Sequence, residues 1–295
     1  MNDVVQSDPR SNGQGAGEAA APPVPELAVN GLTVRFAGLT ALDSVDFTVA
    51  PGSLHALIGP NGAGKSTCFN VLSGVYRATT GSVRLGDAEL TALSPHKIAA
   101  LGVARTFQNI ALSPRLSTAD NLMLGRHRLT RTGFVSAGLR LPAGRREERR
   151  HRERVREIAE FVGIEAYLAT PAGLLPYGVQ KRVELARALC LEPRLLLLDE
   201  PVAGMNGGER RQMAALLRQV RTGLGLSILL VEHDMDMVAR LADEVTVLDF
   251  GKRIATGPPA AIQRDPEVIR AYLGTSADDQ PTPAAADIDE GRTST

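Results

Sequence analysis

Residues Leu54 to Leu72 read LHALIGPNGAGKSTCFNVL, and no other stretch narrows the possible folds as much. Leu54 to Ile58 is an apolar run of strand length, and Thr67 to Leu72 continues as a helix. Between them Gly59, Pro60, Asn61, Gly62, Ala63, Gly64, Lys65 and Ser66 spell G-x-x-x-x-G-K-S, in the strand, turn and helix context that a phosphate-binding loop requires. Glycines at 59, 62 and 64 let the backbone turn until its N–H groups converge on phosphate oxygens, and the positive end of the following helix points at the same place. In a triphosphate site of this kind Lys65 bridges the β- and γ-phosphates and the Ser66 hydroxyl ligates Mg²⁺. The segment from Gly59 through Thr67 is therefore the expected nucleotide-binding set. The competing explanation is a plain glycine-rich turn. It is disfavoured because the chain has only four lysines, so the four fixed positions should coincide by chance in well under about one chain of this length in a hundred.

The remaining composition bounds the partners. With 43% hydrophobic residues in 295, the chain can bury one large domain or two small ones. Its 33 basic residues balance 33 acidic ones, which gives no electrostatic case for nucleic acid as the main partner. Cys68 and Cys190 are too few for a disulfide framework and lack metal-site spacing, which suits a reducing compartment. The opening MNDVVQSDPRSNGQG has acids and no apolar stretch, and no run approaches the roughly 18 to 20 apolar residues that span a bilayer. A cytosolic protein is expected, with any membrane role exercised through a partner.

Residues 1 to 24 are rich in Gly, Ala, Pro and Ser without periodicity and read as a disordered leader, as does the Pro/Ala-rich tail over 275 to 295. Leu27 to Phe36 and Ser44 to Val49 alternate apolar with polar residues and predict half-buried antiparallel strands. Phe36 is either an adenine platform or a core side chain. Gly81 to Leu85 and Val103 to Phe107 predict further strands, and Ser94-Pro95 predicts the start of a helix to about Leu101. Gln108, just past the second of these strands, either reaches Mg²⁺ or the attacking water, or is a surface amide.

From about 113 to 190 helical periodicity dominates, which predicts a helical subdomain inserted in an α/β core. Ser117 or Thr118 begins a helix through Arg126, and a long helix over about Arg145 to Val162 places Val155, Ile158, Ala159 and Val162 on one face. Arg126 to Arg156 holds eleven arginines against three glutamates, either a solvated face or a patch for anionic lipid or an acidic loop. Lys181 to Leu191 predicts the next helix.

Arg194 to Leu198 is an apolar strand ended by Asp199-Glu200 and Pro201. Such a strand is expected in the middle of a parallel sheet, adjacent to the phosphate-loop strand, with both carboxylates beside the nucleotide. Asp199 would hold Mg²⁺ and Glu200 would polarise water. Leu226 to Val231 is a second buried strand ending in Glu232-His233-Asp234, where His233 is either structural or a γ-phosphate contact. Val245 to Leu248 and Arg253 to Thr256 close the sheet, and Pro266 to Leu273 is a last helix.

The order of phosphate loop, FQN, helical insert, LPYGVQKRVELARAL, LLLLDEP, VAGMN and EHDM resembles the ATPase subunit of ATP-binding cassette (ABC) transporters over about residues 26 to 274. Within that superfamily ARTFQN, a Tyr-Gly signature, AGMN, EHDM and the closing AYLG are similar to branched-chain amino acid importer ATPases. The insert from about Thr130 to Arg156 resembles the longer of their two ATPase subunits. The resemblance implies a P-loop NTPase of α/β class, with a RecA-like core sheet, an antiparallel β subdomain and an inserted helical subdomain within one ATPase domain over 25 to 274.

It also implies roles. Phe36 stacks on adenine, Lys65 and Ser66 bind ATP and Mg²⁺, and Gln108 is the glutamine that senses the membrane subunits and reaches the metal. Asp199 is the Mg²⁺ acid, Glu200 the general base and His233 the switch histidine. Asn206 lies in the loop that crosses to a second ATPase, of the same or a different chain, whose ATP is covered by Tyr177 and Gly178. The implied partners are two multi-span permease subunits and an extracytoplasmic solute-binding protein, with this chain peripheral on the cytoplasmic face of the membrane.

One departure stands out. The usual L-S-G-G-Q signature appears as Leu175-Pro176-Tyr177-Gly178-Val179, in which Pro176 has no hydroxyl or N–H for a γ-phosphate and Val179 no amide. That keeps open a regulatory ATP-binding module or other non-transport ATPase. Urea or a short amide competes with branched-chain amino acids as the solute, and lipid export is a more distant option.

Overall fold

A computed structural model describes residues 24–106, 110–126, 129 and 142–278. Along the chain, β1 (Leu27–Phe36), β2 (Leu39–Val49) and β3 (Leu54–Ile58) lead into α1 (Lys65–Leu72). Then come β4 (Thr80–Leu85), β5 (Ala88–Glu89), α2 (Pro95–Ala100), β6 (Val103–Arg105), α3 (Thr118–Arg126), α4 (Pro142–Val162) and α5 (Tyr177–Leu189). The last third alternates as β7 (Leu195–Asp199), α6 (Gly207–Leu224), β8 (Ser227–Val231), α7 (Met235–Leu241), β9 (Glu244–Asp249), β10 (Lys252–Gly257), α8 (Pro259–Ile262) and α9 (Pro266–Asp278).

The alternation in β1 and β2 has the expected result: they pair antiparallel, Leu27 opposite Val49, in a four-stranded sheet of order β2-β1-β4-β5. The apolar runs take the other role. A six-stranded sheet of order β10-β9-β3-β8-β7-β6 has β9, β3, β8, β7 and β6 parallel, with β10 antiparallel at one edge. Every side chain of β3, β7 and β8 is buried, as strands covered on both faces must be. One face packs with α1 and the antiparallel sheet through Phe69, Leu72, Leu57 and Leu197. The other packs the helices over Leu54, Leu196, Leu198 and Leu230.

The expected adjacency of the phosphate-loop strand and the acid-bearing strand is corrected. β8 lies between β3 and β7, pairing with Leu54 opposite Ile228 on one side and Leu195 opposite Ser227 on the other. An apolar run reveals that a strand is central but not which central strand it joins. The carboxyl ends of all three still emerge on one edge, so the acids reach the phosphate loop across one intervening strand.

In the helical region Val155, Ile158, Ala159 and Val162 of α4 are all buried, as their spacing predicts. Ser117 is the residue that starts α3: its Oγ accepts from Asp120 N–H at 3.1 Å. α5 begins at Tyr177, four residues before the expected Lys181, because Pro176 needs no N–H partner and its carbonyl accepts from Val179 and Gln180. α9 runs to Asp278, beyond the expected boundary at 274. The expected leader, apart from Val24, the tail past 278, and Phe107, Gln108 and Asn109 lie outside the described residues. Among the described residues no helix is long and apolar enough to cross a membrane.

Candidate functional site

The phosphate loop takes its shape from three left-handed or otherwise glycine-specific turns. Gly59, Gly62 and Gly64 have φ of 148°, 80° and 99°. A Cβ at Gly59 would lie 2.1 Å from the Leu248 carbonyl oxygen, and one at Gly64 would lie 2.6 Å from that of Ala41, so the loop is wedged between β9 and β2. Above Gly62 there is open space. Lys65 Nζ arches back to donate to the Gly59 and Pro60 carbonyls at 2.7 and 2.8 Å. Burial lowers the Lys65 pKa, while the charges of Glu200 and Asp199 pull it back up.

This loop floors a cavity of about 560 Å³ that also meets Ser66, Thr67, Glu200, Phe36, Leu39 and Phe250. Its lining combines the loop and Lys65 with the apolar side chains Phe36, Leu39 and Phe250. Phe36 is 41% exposed there, its ring 5.2 Å from that of Tyr76 at an interplanar angle of 72°, so it is not a core side chain. A lysine, a phosphate loop and exposed aromatic side chains around one cavity of this volume fit a nucleoside triphosphate.

The acid pair divides its work. Asp199 is buried at the end of β7, and its Oδ2 accepts from Arg105 Nη2 at 3.0 Å. Arg105, at the end of β6, also donates through Nη1 to Asn70 Oδ1 at 2.7 Å and Ser73 Oγ at 2.9 Å on and just past α1. Glu200 turns out of the strand with φ 47°, its N–H held by the Val231 carbonyl at 2.9 Å, and lines the cavity with Lys65 and Ser66. His233, with 63% of its side chain exposed, has Nδ1 3.9 Å from Glu200 Oε1.

Tyr177 and Gly178 are not at this cavity. The Tyr177 hydroxyl donates to the Ala203 carbonyl at 3.0 Å, and its ring lies against Gly204. Gly178 is buried against Glu209, and Asn206 caps α6 in a capping box with the same Glu209.

Three residues at or near the site carry no motif signal of their own. Arg105 lies within ARTFQN, and Phe250 falls in no motif. Glu232, fully buried before the histidine, accepts from Val202 N–H at 3.3 Å and His233 N–H at 3.2 Å. A further buried carboxylate, Glu184 of α5, accepts from Ala111 N–H at 2.7 Å and so ties that helix to the segment after residues 107–109. Burial pushes the carboxyl pKa of both Glu232 and Glu184 up.

A family model described as ABC transporter matches residues 42–203, which span the phosphate loop and the acid pair. The chain belongs to the ABC transporter ATPase family. As an ABC ATPase it binds and hydrolyses ATP. A second model, described as branched-chain amino acid ATP-binding cassette transporter, matches residues 252–278. The chain is 42% identical over 250 residues to the high-affinity branched-chain amino acid transport ATP-binding protein BraF of Pseudomonas aeruginosa, covering 85% of this chain and 98% of that one. It is 40% identical over 250 residues, with the same coverage, to the corresponding LivG protein of Escherichia coli K12. Among solved structures, an ATP-binding cassette of an ABC transporter in its ADP conformation superposes with a TM-score of 0.74 at 29% identity, covering 85% of this chain and 99% of that one.

Proposed function

We propose that this ABC ATPase powers import of branched-chain amino acids. It would act with a second ATPase, two membrane permease subunits and an extracytoplasmic binding protein, as a peripheral subunit on the cytoplasmic face. One ATPase domain over 25 to 274, with a helical subdomain at about 113 to 190, carries the activity. The observation that bears most weight is the meeting of Lys65, Ser66 and Glu200 at one cavity that Phe36 also lines. For the solute, support comes from the match over residues 252–278 and from the names of the relatives, which the chain matches over 98% of their length.

In this reading Phe36 stacks on adenine, the Gly59–Thr67 backbone and Lys65 take the phosphates, and Glu200 polarises the attacking water. Mg²⁺ fits the hard oxygen donors of Ser66 and Asp199, with Gln108 as a third, and when bound would neutralise charge on the phosphates. The Asp199 carboxylate is already oriented for that by Arg105. His233 then watches the γ-phosphate beside Glu200. Tyr177 and Gly178, away from this chain's own cavity, face the ATP of the second ATPase.

The test is uptake by vesicles reconstituted with all subunits. Leucine, isoleucine and valine should accumulate only with ATP inside the ATPase-facing compartment, and Glu200→Gln should abolish uptake. Accumulation of urea or a short amide without branched-chain amino acids would replace the solute. ATP binding without any uptake of solute would favour the regulatory module.

A further inference from the structure

Phe250 is the most exposed large hydrophobic side chain among the described residues, at 81%, and it holds a backbone φ of 42°. Both facts run against it as a structural residue. Its ring adds almost nothing to a core, and a bulky side chain in the left-handed region is strained. A turn between β9 and β10 would be more easily made with glycine or asparagine there.

The turn is nevertheless fixed in place. Gly251 N–H donates to the Ala63 carbonyl of the phosphate loop at 3.1 Å, and its own carbonyl accepts from Asp43 N–H at 2.8 Å. A Cβ on Gly251 would come within 2.7 Å of the Ala41 carbonyl oxygen, so the turn is pressed onto β2. Lys252 Nζ adds an ion pair with Asp43 at 3.4 Å. The chain thus clamps this turn to the phosphate loop on one side and β2 on the other, and leaves the aromatic ring at the cavity rim.

Phe36 and Leu39, 41% and 68% exposed, line the same cavity as Phe250, and so do Lys65 and the phosphate loop. Phosphates take Lys65 and the loop, so the flat heteroaromatic base is the part of the ligand left for three exposed apolar side chains.

We propose that Phe250 is a second aromatic wall of the base subsite, set beside Phe36 to recognise the purine ring of ATP. This rests on the reading of the cavity as a nucleotide site. Phe250 contributes ring contact to the base and nothing to the phosphates, and its backbone strain is retained for that contact.

The experiment measures binding of ATP and of inorganic tripolyphosphate, each with Mg²⁺, to the full chain by calorimetry, alongside the thermal midpoint. Phe250→Gly should weaken ATP about five- to tenfold, the size of one base stacking contact. Tripolyphosphate should change less than about twofold, and the midpoint should hold or rise as the left-handed strain is relieved. Phe250→Tyr, which keeps the ring, should restore ATP affinity. Unchanged ATP affinity in Phe250→Gly, or parallel loss of ATP and tripolyphosphate, would overturn the proposal. Lys65→Ala tests the underlying site separately: it should weaken both ligands, and if it weakens neither, the nucleotide reading of the cavity itself fails whatever Phe250 does.

Discussion

Arg105 Nη2 lies 3.0 Å from Asp199 Oδ2, joining the ends of β6 and β7, and the same guanidinium reaches Asn70 and Ser73 at the far end of the phosphate-loop helix. Both side chains are about nine-tenths buried. The carboxylate proposed for Mg²⁺ is therefore oriented by a cation that also grips the element carrying Lys65.

Arg105→Ala should be the most disruptive single change near the site. Removing one partner of a buried pair leaves the other charge uncompensated, at about 3 to 5 kcal/mol. A urea midpoint should fall accordingly. Arg105→Lys keeps the charge but loses the planar fork, and should retain most of the stability while lowering ATP hydrolysis.

Glu200→Gln should reduce ATP hydrolysis by about 10² to 10⁴-fold with ATP affinity retained, as loss of a general base predicts. If the second ATPase is a different chain with an intact signature, the effect should be unequal. Pro176 and Val179 lack the hydroxyl and the amide of the usual signature, so this chain's own phosphate-loop site should carry the larger share of turnover. Equal losses on mutating either chain's glutamate would refute that asymmetry.

His55 makes the fold acid-sensitive. It sits in β3, 1% exposed, with Nε2 2.9 Å from Thr246 Oγ1 and its ring stacked on Phe47. Glu244 stands 3.7 Å from Nδ1, but it is half exposed and burial outweighs it, lowering the His55 pKa to about 4. The unfolded chain takes up a proton near pH 6.5 that the folded chain refuses until about pH 4. Stability present above pH 6.5 is thus lost as pH falls to 4, by about 3 kcal/mol. Urea titrations across that range should show the slope, and His55→Gln should flatten it.

Glu232→Ala should cost about 2 kcal/mol in unfolding free energy, because two backbone N–H groups lose a buried acceptor. Those N–H groups belong to Val202, after the acid pair, and to His233. Hydrolysis should fall more than stability alone explains, measured at a temperature where the variant is fully folded.

The sequence was most legible where one local pattern decides the outcome. The phosphate loop, the buried face of α4 and the alternation of β1 all depend on spacing along the chain. Strand order does not: β8 enters between β3 and β7 because of crossovers that residues 54 to 58 and 195 to 199 do not encode. Arg105 was visible as a residue but not as a partner of Asp199, since the two are 94 positions apart. Phe250 gave no signal at all, because its significance is a backbone angle and an exposed ring rather than a motif.

The Tyr177 hydroxyl fastens the head of α5 to Ala203, three residues past the acid that faces this chain's own cavity. In the proposed pairing of two ATPases, α5 belongs to the neighbour's nucleotide and Glu200 to its own. Movement at either would tug on the other through that phenol and through the packing of Gly178 on Glu209. The two reaction centres would then be geared together crosswise, each chain relaying the state of one to the surface that holds the other.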